Sequence, residues 1–173
     1  FKADDKNFYY ALGSIKNVGY DAISNIVDER EKNGKFKSIS DFINRVNHKD
    51  INKLQREGLV KAGAFDEINN NRAALYDSIP TLILKSKNLD DNKLTNQFDL
   101  FNDKNEFKDD FINNIEDWKF EERLSKEFES IGFFISDHPL NQFKDIYEEF
   151  KIDNYKNFSN SDNLKEAKIA ATI

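Results

Sequence analysis

The stretch Ser14-Ile15-Lys16-Asn17-Val18-Gly19 decides the fold. Phe8-Tyr9-Tyr10-Ala11-Leu12 precedes it, and after it Ala22, Ile23, Ile26 and Val27 recur at helical spacing. A polar turn that opens a helix through a glycine aims unpaired backbone N–H groups outward. The helix dipole adds positive partial charge at the same place, so the turn favours a phosphate. Between two helices, such a turn makes a helix-hairpin-helix, which holds a nucleic-acid backbone without reading bases. A plain connector has the same look, because any helix pair needs a turn.

Outward from this turn, the first half of the chain reads as short helices. One is expected over Lys6 to Leu12. The next spans about Tyr20 to Glu31 and stops at Asn33-Gly34. Ser38-Ile39-Ser40 opens a third, with Asp41 in its first turn and Phe42, Ile43 and Val46 on its apolar face. A fourth covers about Lys49 to Lys61, with Ile51, Leu54, Leu59 and Val60 apolar, and ends at Ala62-Gly63-Ala64-Phe65-Asp66. A fifth begins near Asn71 and carries Ala73, Ala74, Leu75 and Ile79. The hairpin pattern therefore occurs twice. One hairpin is too small to bury a core, but two can share one.

Residues 86–116 lose periodicity under Asn, Asp, Lys and Ser, as in a flexible linker. The apolar cluster Gln97-Phe98-Asp99-Leu100-Phe101 interrupts them. Its large apolar groups have no local core, which suggests a partner's pocket, or else docking back on the helical body. Helical signals return at Trp118, with Leu124, Phe128 and Ile131 on one face and Gly132 as the stop. Phe133-Phe134-Ile135 is a short extended run. Pro139 suits a first helical position, and Leu140, Phe143, Ile146, Tyr147 and Phe150 continue an amphipathic pattern. Lys168 to Ile173 reads as a strand cut short. The expected fold class is mainly α, with a tandem helix-hairpin-helix region at 1–88, a linker at 89–117, a helical segment at 118–164 and a truncated strand at 165–173.

The 173 residues are enough for one ordinary domain or two small ones. Without cysteine, disulfides and thiolate metal sites are excluded. No leader pattern or long apolar run stands out, so a cytoplasmic setting without membrane contact is expected. The chain opens on Phe1 and has no methionine, as expected for a piece of a longer protein. Its formal net charge of −6 divides unevenly: residues 1–88 carry 15 basic against 12 acidic side chains, and residues 89–173 carry 11 against 20. The hairpin half is thus the half suited to phosphate. His48 and His138 lack metal-ligand spacing, and His138 before Pro139 reads as a helix cap. No serine–histidine pair or glycine-rich phosphate loop appears. Carboxylates such as Asp109-Asp110 and Glu121-Glu122 sit in acidic surface runs, so no catalytic or metal site is expected here.

Five stretches carry a resemblance. They are Leu12 to Gly19, Phe36-Lys37-Ser38-Ile39-Ser40-Asp41-Phe42, Leu59-Val60-Lys61-Ala62-Gly63-Ala64-Phe65-Asp66, Asn71-Arg72-Ala73-Ala74-Leu75, and Glu127 through Leu140. In this order they resemble an internal segment of the bacterial DNA polymerase III alpha subunits, the C-family replicative polymerases. The resemblance implies that residues 1–88 contact duplex DNA, that 97–101 bind the sliding clamp, and that 165–173 begin an OB domain. It implies other holoenzyme subunits as partners, and places the polymerase active site, with its Mg²⁺-binding carboxylates, outside this chain.

On that reading the backbone-binding candidates are Ser14, Lys16, Asn17, Val18 and Gly19 in the first hairpin, and Lys61, Gly63 and Arg72 in the second. The family usually has glycine where Asn17 stands; Asn is the next best residue for a left-handed conformation. Asp21 suits the helix dipole but repels a phosphate. Clamp-binding candidates are Gln97, Phe98, Asp99, Leu100 and Phe101, with Leu100 and Phe101 as anchors and the Gln97 amide as a hydrogen-bonding group. Alternatives are an error-prone paralogue active in damage bypass, a non-enzymatic tandem-hairpin DNA-repair scaffold, and a structural helical domain without DNA contact.

Overall fold

A computed structural model describes residues 2–6, 8–95, 108–153, 155–160 and 166–171. They form two compact units, residues 1–133 and 134–173. Among the described residues the chain is mainly helical.

The first unit starts with strands β1 (Lys2–Ala3) and β2 (Phe8–Tyr9), paired antiparallel, and a 3-10 turn at Leu12–Ser14. The helix expected over Lys6 to Leu12 is therefore not formed. Asp4 closes the turn between the strands by accepting the Lys6 N–H at 3.0 Å, and the consecutive aromatics at 8–10 suit a pleated edge better than a helix.

Helix α1 (Tyr20–Asn33) follows Gly19 and stops at Gly34. It buries Ala22, Ile23 and Ile26, the face that the helical spacing marks. Helix α2 (Ile39–Arg45) begins at Ser38, whose hydroxyl accepts the Asp41 N–H at 3.0 Å. Asp41 in turn accepts the Lys37 N–H at 2.9 Å, so both ends of the first turn are satisfied.

Helix α3 (Lys53–Lys61) starts four residues later than its apolar pattern suggests. A capping box between Asn52 and Gln55 sets the start, and residues 47–50 form a turn closed by the Asp50 N–H on the Asn47 carbonyl. Helix α4 (Arg72–Asp77) is capped by Asn71. After a break at Ser78, α5 runs over Ile79–Thr95, well into the expected linker. His48 anchors it: its backbone N–H and its Nδ1 both meet Asp90, at 2.9 and 2.6 Å.

The linker expectation also fails from residue 108 to 117, for a physical reason. The polar side chains there cap helices of the body. Asp109 accepts the N–H groups of Ile39 and Ser40, at 3.2 and 2.7 Å. Asp117 accepts from the Ala73 N–H at 2.9 Å. The Ile115 carbonyl accepts from Asn71, and the Asn113 N–H donates to Ser78 Oγ. Phe111, Ile112 and Trp118 pack on the core.

Helix α6 (Phe120–Ile131) belongs to the same unit and packs on α3, so no domain boundary falls at 118. The shared core holds Ile15, Val18, Ile23, Ile26, Ile39, Phe42, Ile43, Val46, Ile51, Leu59, Val60, Leu75, Ile79 and Leu82.

The second unit holds a 3-10 stretch at Pro139–Phe143, α7 (Lys144–Glu149) and α8 (Tyr155–Ser159). His138 Nδ1 accepts the Leu140 N–H at 3.2 Å, the cap expected of it. Residues 166–171 form no strand, although the Lys168 carbonyl accepts the Asp153 N–H at 2.9 Å. A lone strand needs a neighbouring ladder to be stable.

Candidate nucleic-acid interface

The first hairpin turn is built from two buried plugs and an exposed rim. Ile15 and Val18 enter the core, while Ser14, Lys16, Asn17 and Gly19 face solvent. Alternating burial forces a sharp turn, and Asn17 takes the left-handed conformation, with φ 65°. Asn tolerates this better than other residues with a Cβ.

The turn rests on α3 at Gly58. A Cβ there would stand 3.1 Å from the Lys16 carbonyl oxygen and 3.2 Å from Val18 Cγ2, so glycine is what allows the close approach.

Four amides of the turn are satisfied internally. Ser14 N–H donates to the Ala11 carbonyl at 2.9 Å and Ile15 N–H to the Leu12 carbonyl at 3.2 Å. Val18 N–H donates to the Ile15 carbonyl at 3.0 Å, and Lys16 N–H donates to the Ser130 carbonyl of α6 at 2.9 Å. Gly19 makes no side-chain cap on α1. The amides of Gly19, Tyr20, Asp21 and Ala22 find no acceptor among the described residues. They are the orphan donors of a 14-residue helix, with the positive end of its dipole behind them. Tyr20 beside them is 77% exposed. Val18, expected among the backbone-binding residues, is 3% exposed and its N–H is already taken by the Ile15 carbonyl.

The second hairpin turn, between α3 and α4, is arranged differently. Gly63 adopts φ 76°, and a Cβ on it would lie 2.1 Å from Arg72 Nη2. The Arg72 guanidinium covers the turn glycine. It is 4% exposed and binds Asp66 in bidentate fashion, Nε to Oδ1 at 2.9 Å and Nη2 to Oδ2 at 2.7 Å. Its Nη1 donates to the Lys61 carbonyl at 3.1 Å and to Glu127 at 3.2 Å. Burial pulls the Arg72 pKa down, but Asp66 and Glu127 outweigh it and hold the pKa above the ordinary arginine value.

Arg123 adds a second guanidinium on Asp66 at 3.1 Å and also binds Asp117. Lys61 is drawn to Glu129 at 2.8 Å, and that hydrogen bond holds the Glu129 carboxyl below its usual range. Arg72 and Lys61, expected to meet phosphate, are thus turned inward on carboxylates, and Gly63 is covered. Sequence reading misses these carboxylate partners because Glu127 lies 55 residues from Arg72 and Glu129 lies 68 from Lys61.

Another buried guanidinium, Arg56, is 3% exposed and donates from Nε to the Ile51 carbonyl. Burial pushes its pKa down to about 10, partly offset by Asp90. Gln97, Phe98, Asp99, Leu100 and Phe101 lie outside the described residues.

The helix-hairpin-helix motif family matches residues 1–75, which contain both turns. The chain is 36% identical over 154 residues to the DNA polymerase III subunit alpha of Borreliella burgdorferi, covering 87% of this chain and 13% of that protein. The same subunit of Rickettsia bellii is 38% identical over 149 residues, covering 86% of the chain and 12% of the relative. That of Rickettsia felis is 35% identical along the whole chain, which amounts to 14% of its length. The chain thus spans only 12–14% of the length of these relatives. Its helical fold, its paired hairpin turns and its end-to-end similarity place it, as a segment, in the DNA polymerase III alpha-subunit family.

Proposed function

We propose that this segment holds the backbone of duplex DNA for a bacterial replicative polymerase in the cytoplasm and carries that polymerase's tether to the sliding clamp. The observation behind the first part is the first hairpin turn. The unpaired amides of Gly19 to Ala22, the exposed Lys16 and the rim residues Ser14 and Asn17 lie at one helix N-terminus within the matched hairpin region. A phosphate oxygen there gains backbone donors and a charge without any base contact.

The clamp tether rests on the sequence Gln97-Phe98-Asp99-Leu100-Phe101 and on the family resemblance. Leu100 and Phe101 enter an apolar pocket on the clamp, Gln97 adds a hydrogen bond, and a few buried anchors supply most of the affinity. Other subunits of the replicase are partners of the parent protein.

Templated nucleotidyl transfer belongs to the parent polymerase, with Mg²⁺ held by carboxylates elsewhere. Among the described residues no group of three or more His, Asp or Glu side chains has the arrangement to hold a metal ion. None of the described helices is long and apolar enough to cross a membrane.

Binding of a labelled blunt duplex across a salt series tests the first part. Affinity falls as salt rises, with a slope set by the few phosphates contacted; salt-independent binding, or none, rejects it. Clamp binding disappears in the Gln97→Ala, Phe101→Ala double variant, and unchanged binding rejects the tether.

A further inference from the structure

The two hairpin turns meet the same helix by different means, which suggests that they do different work. At the first turn, the hydrogen bond to α6 runs through the backbone, Lys16 N–H to the Ser130 carbonyl, and the Lys16 charge is also felt by Glu129 of that helix. At the second turn it is ionic. Glu127 of α6, with no exposed surface, binds Arg72, and Glu129 binds Lys61. Ser130 lies three residues beyond Glu127, on the adjoining position of the same helical face. Its hydroxyl donates to the Glu127 carbonyl at 3.0 Å.

The place over the second turn where an anion would approach Gly63 holds the chain's own carboxylate and guanidinium. Asp66 Oδ2 lies 2.9 Å, and Arg72 Nη2 2.1 Å, from the position a Gly63 Cβ would take. Arg72 and Arg123 face three carboxylates, Asp66, Asp117 and Glu127, so the cluster offers no excess positive charge to a phosphate.

We infer that the second hairpin is an ionic socket for α6 and that Glu127 is a positioning residue, which through Ser130 fixes the first turn in the orientation that meets the DNA backbone. The inference rests on the phosphate-binding reading of the first turn. It extends the working unit beyond residues 1–75 to α6. It also makes the grip on DNA one-sided, with charge supplied from Lys16 and not from Lys61 or Arg72. Because Lys16 N–H is held by Ser130, the donors left for phosphate are those of Asn17 and of Gly19 to Ala22, and their direction follows the turn.

Residue-resolved amide hydrogen exchange on the whole chain without DNA, joined to duplex binding across a salt series, tests this. In Glu127→Gln, the Lys16 amide exchanges roughly tenfold faster or more, as expected when a buried ion pair loses one of its charges, while the Phe42 and Val46 amides keep their protection. Duplex affinity falls several-fold with an unchanged salt slope, because the same phosphates are met by a looser turn. Glu129→Gln, on the exposed side of α6, gives a smaller rise in Lys16 exchange and covers the case in which Glu127→Gln fails to fold; exchange alone is its readout, because Glu129 also interacts with the Lys16 charge.

Lys16→Gln lowers the salt slope by about one, whereas Lys61→Met leaves it unaltered. Equal loss of protection at Lys16, Phe42 and Val46, or wild-type protection at Lys16 in both glutamate variants, overturns the positioning role. A drop in slope for Lys61→Met equal to that for Lys16→Gln overturns the one-sided grip. A wild-type chain that shows no salt-dependent binding but does show the exchange pattern rejects the DNA reading alone and leaves the socket standing.

Discussion

Arg72 lies directly over Gly63, so closely that a methyl group on the glycine would stand 2.1 Å from Nη2. The pairing explains why glycine occupies this turn: it meets a left-handed backbone and a closely packed guanidinium at once. Gly63→Ala must displace Arg72 from Asp66 and Glu127 while adopting φ 76°. Breaking a buried ion pair costs about 3–5 kcal/mol, and the left-handed turn adds about 1. Urea denaturation should place the loss at roughly 3 kcal/mol or more; a loss under about 1 kcal/mol would mean that Arg72 relaxes without cost.

Asp109 caps α2 from seventy residues away, through the N–H groups of Ser40 and Ile39. It acts as a second cap beside Ser38, at the positive end of the helix dipole. Asp109→Ala should destabilise the chain by about 1–2 kcal/mol, the usual range for a lost N-terminal cap. The same denaturation assay reads it, with Asp110→Ala, one residue on, as a control expected to be near neutral.

Asn17 stands in the left-handed region, which glycine enters without strain. Asn17→Gly should keep the fold, with a stability change within about 1 kcal/mol, and should tighten duplex binding because a side chain leaves the rim of the phosphate site. Asn17→Val should lower both stability and binding. Equal affinity of the wild-type chain and the Asn17→Gly variant would show that the amide does not crowd the ligand.

Glu129 supplies a pH signature. The Lys61 hydrogen bond depresses its carboxyl in the folded chain, so its stabilising effect is complete above the ordinary glutamate pKa. The effect is lost as pH falls through the depressed value, where the folded state must take up a proton. Half-exposure limits the effect to under about 1 kcal/mol. Thermal midpoints of wild type and Glu129→Gln should differ at neutral pH and converge in acid. A constant gap down to the lowest pH would assign the difference to packing.

The parts of the fold legible in the sequence are those whose signals are local. Gly19 and Gly34 bracket α1, Ser38 opens α2, and the apolar spacing marks Ile23, Ile26, Phe42 and Leu59 as core. Where the cause is remote, the sequence misleads. Residues 108–117 look like linker because their Asp and Asn side chains resemble solvated surface, yet they cap α2 and α4. Arg72 looks like a phosphate ligand because an arginine beside a hairpin carries no local mark of burial; its partner Glu127 is 55 residues away. The first turn is legible because its plugs, Ile15 and Val18, and its left-handed Asn17 lie within a few residues of one another.

The long separation between Arg72 and Glu127 also bears on synthesis. A ribosome adding about 5–20 residues each second releases the matched hairpin region, residues 1–75, before α6 exists. For about three to ten seconds Arg72 has Asp66 and the Lys61 carbonyl but not Glu127, and the nascent hairpins must wait without the helix that packs on α3. Completion of this domain is therefore timed by the emergence of α6, and a fragment cut after residue 75 would remain at that waiting stage.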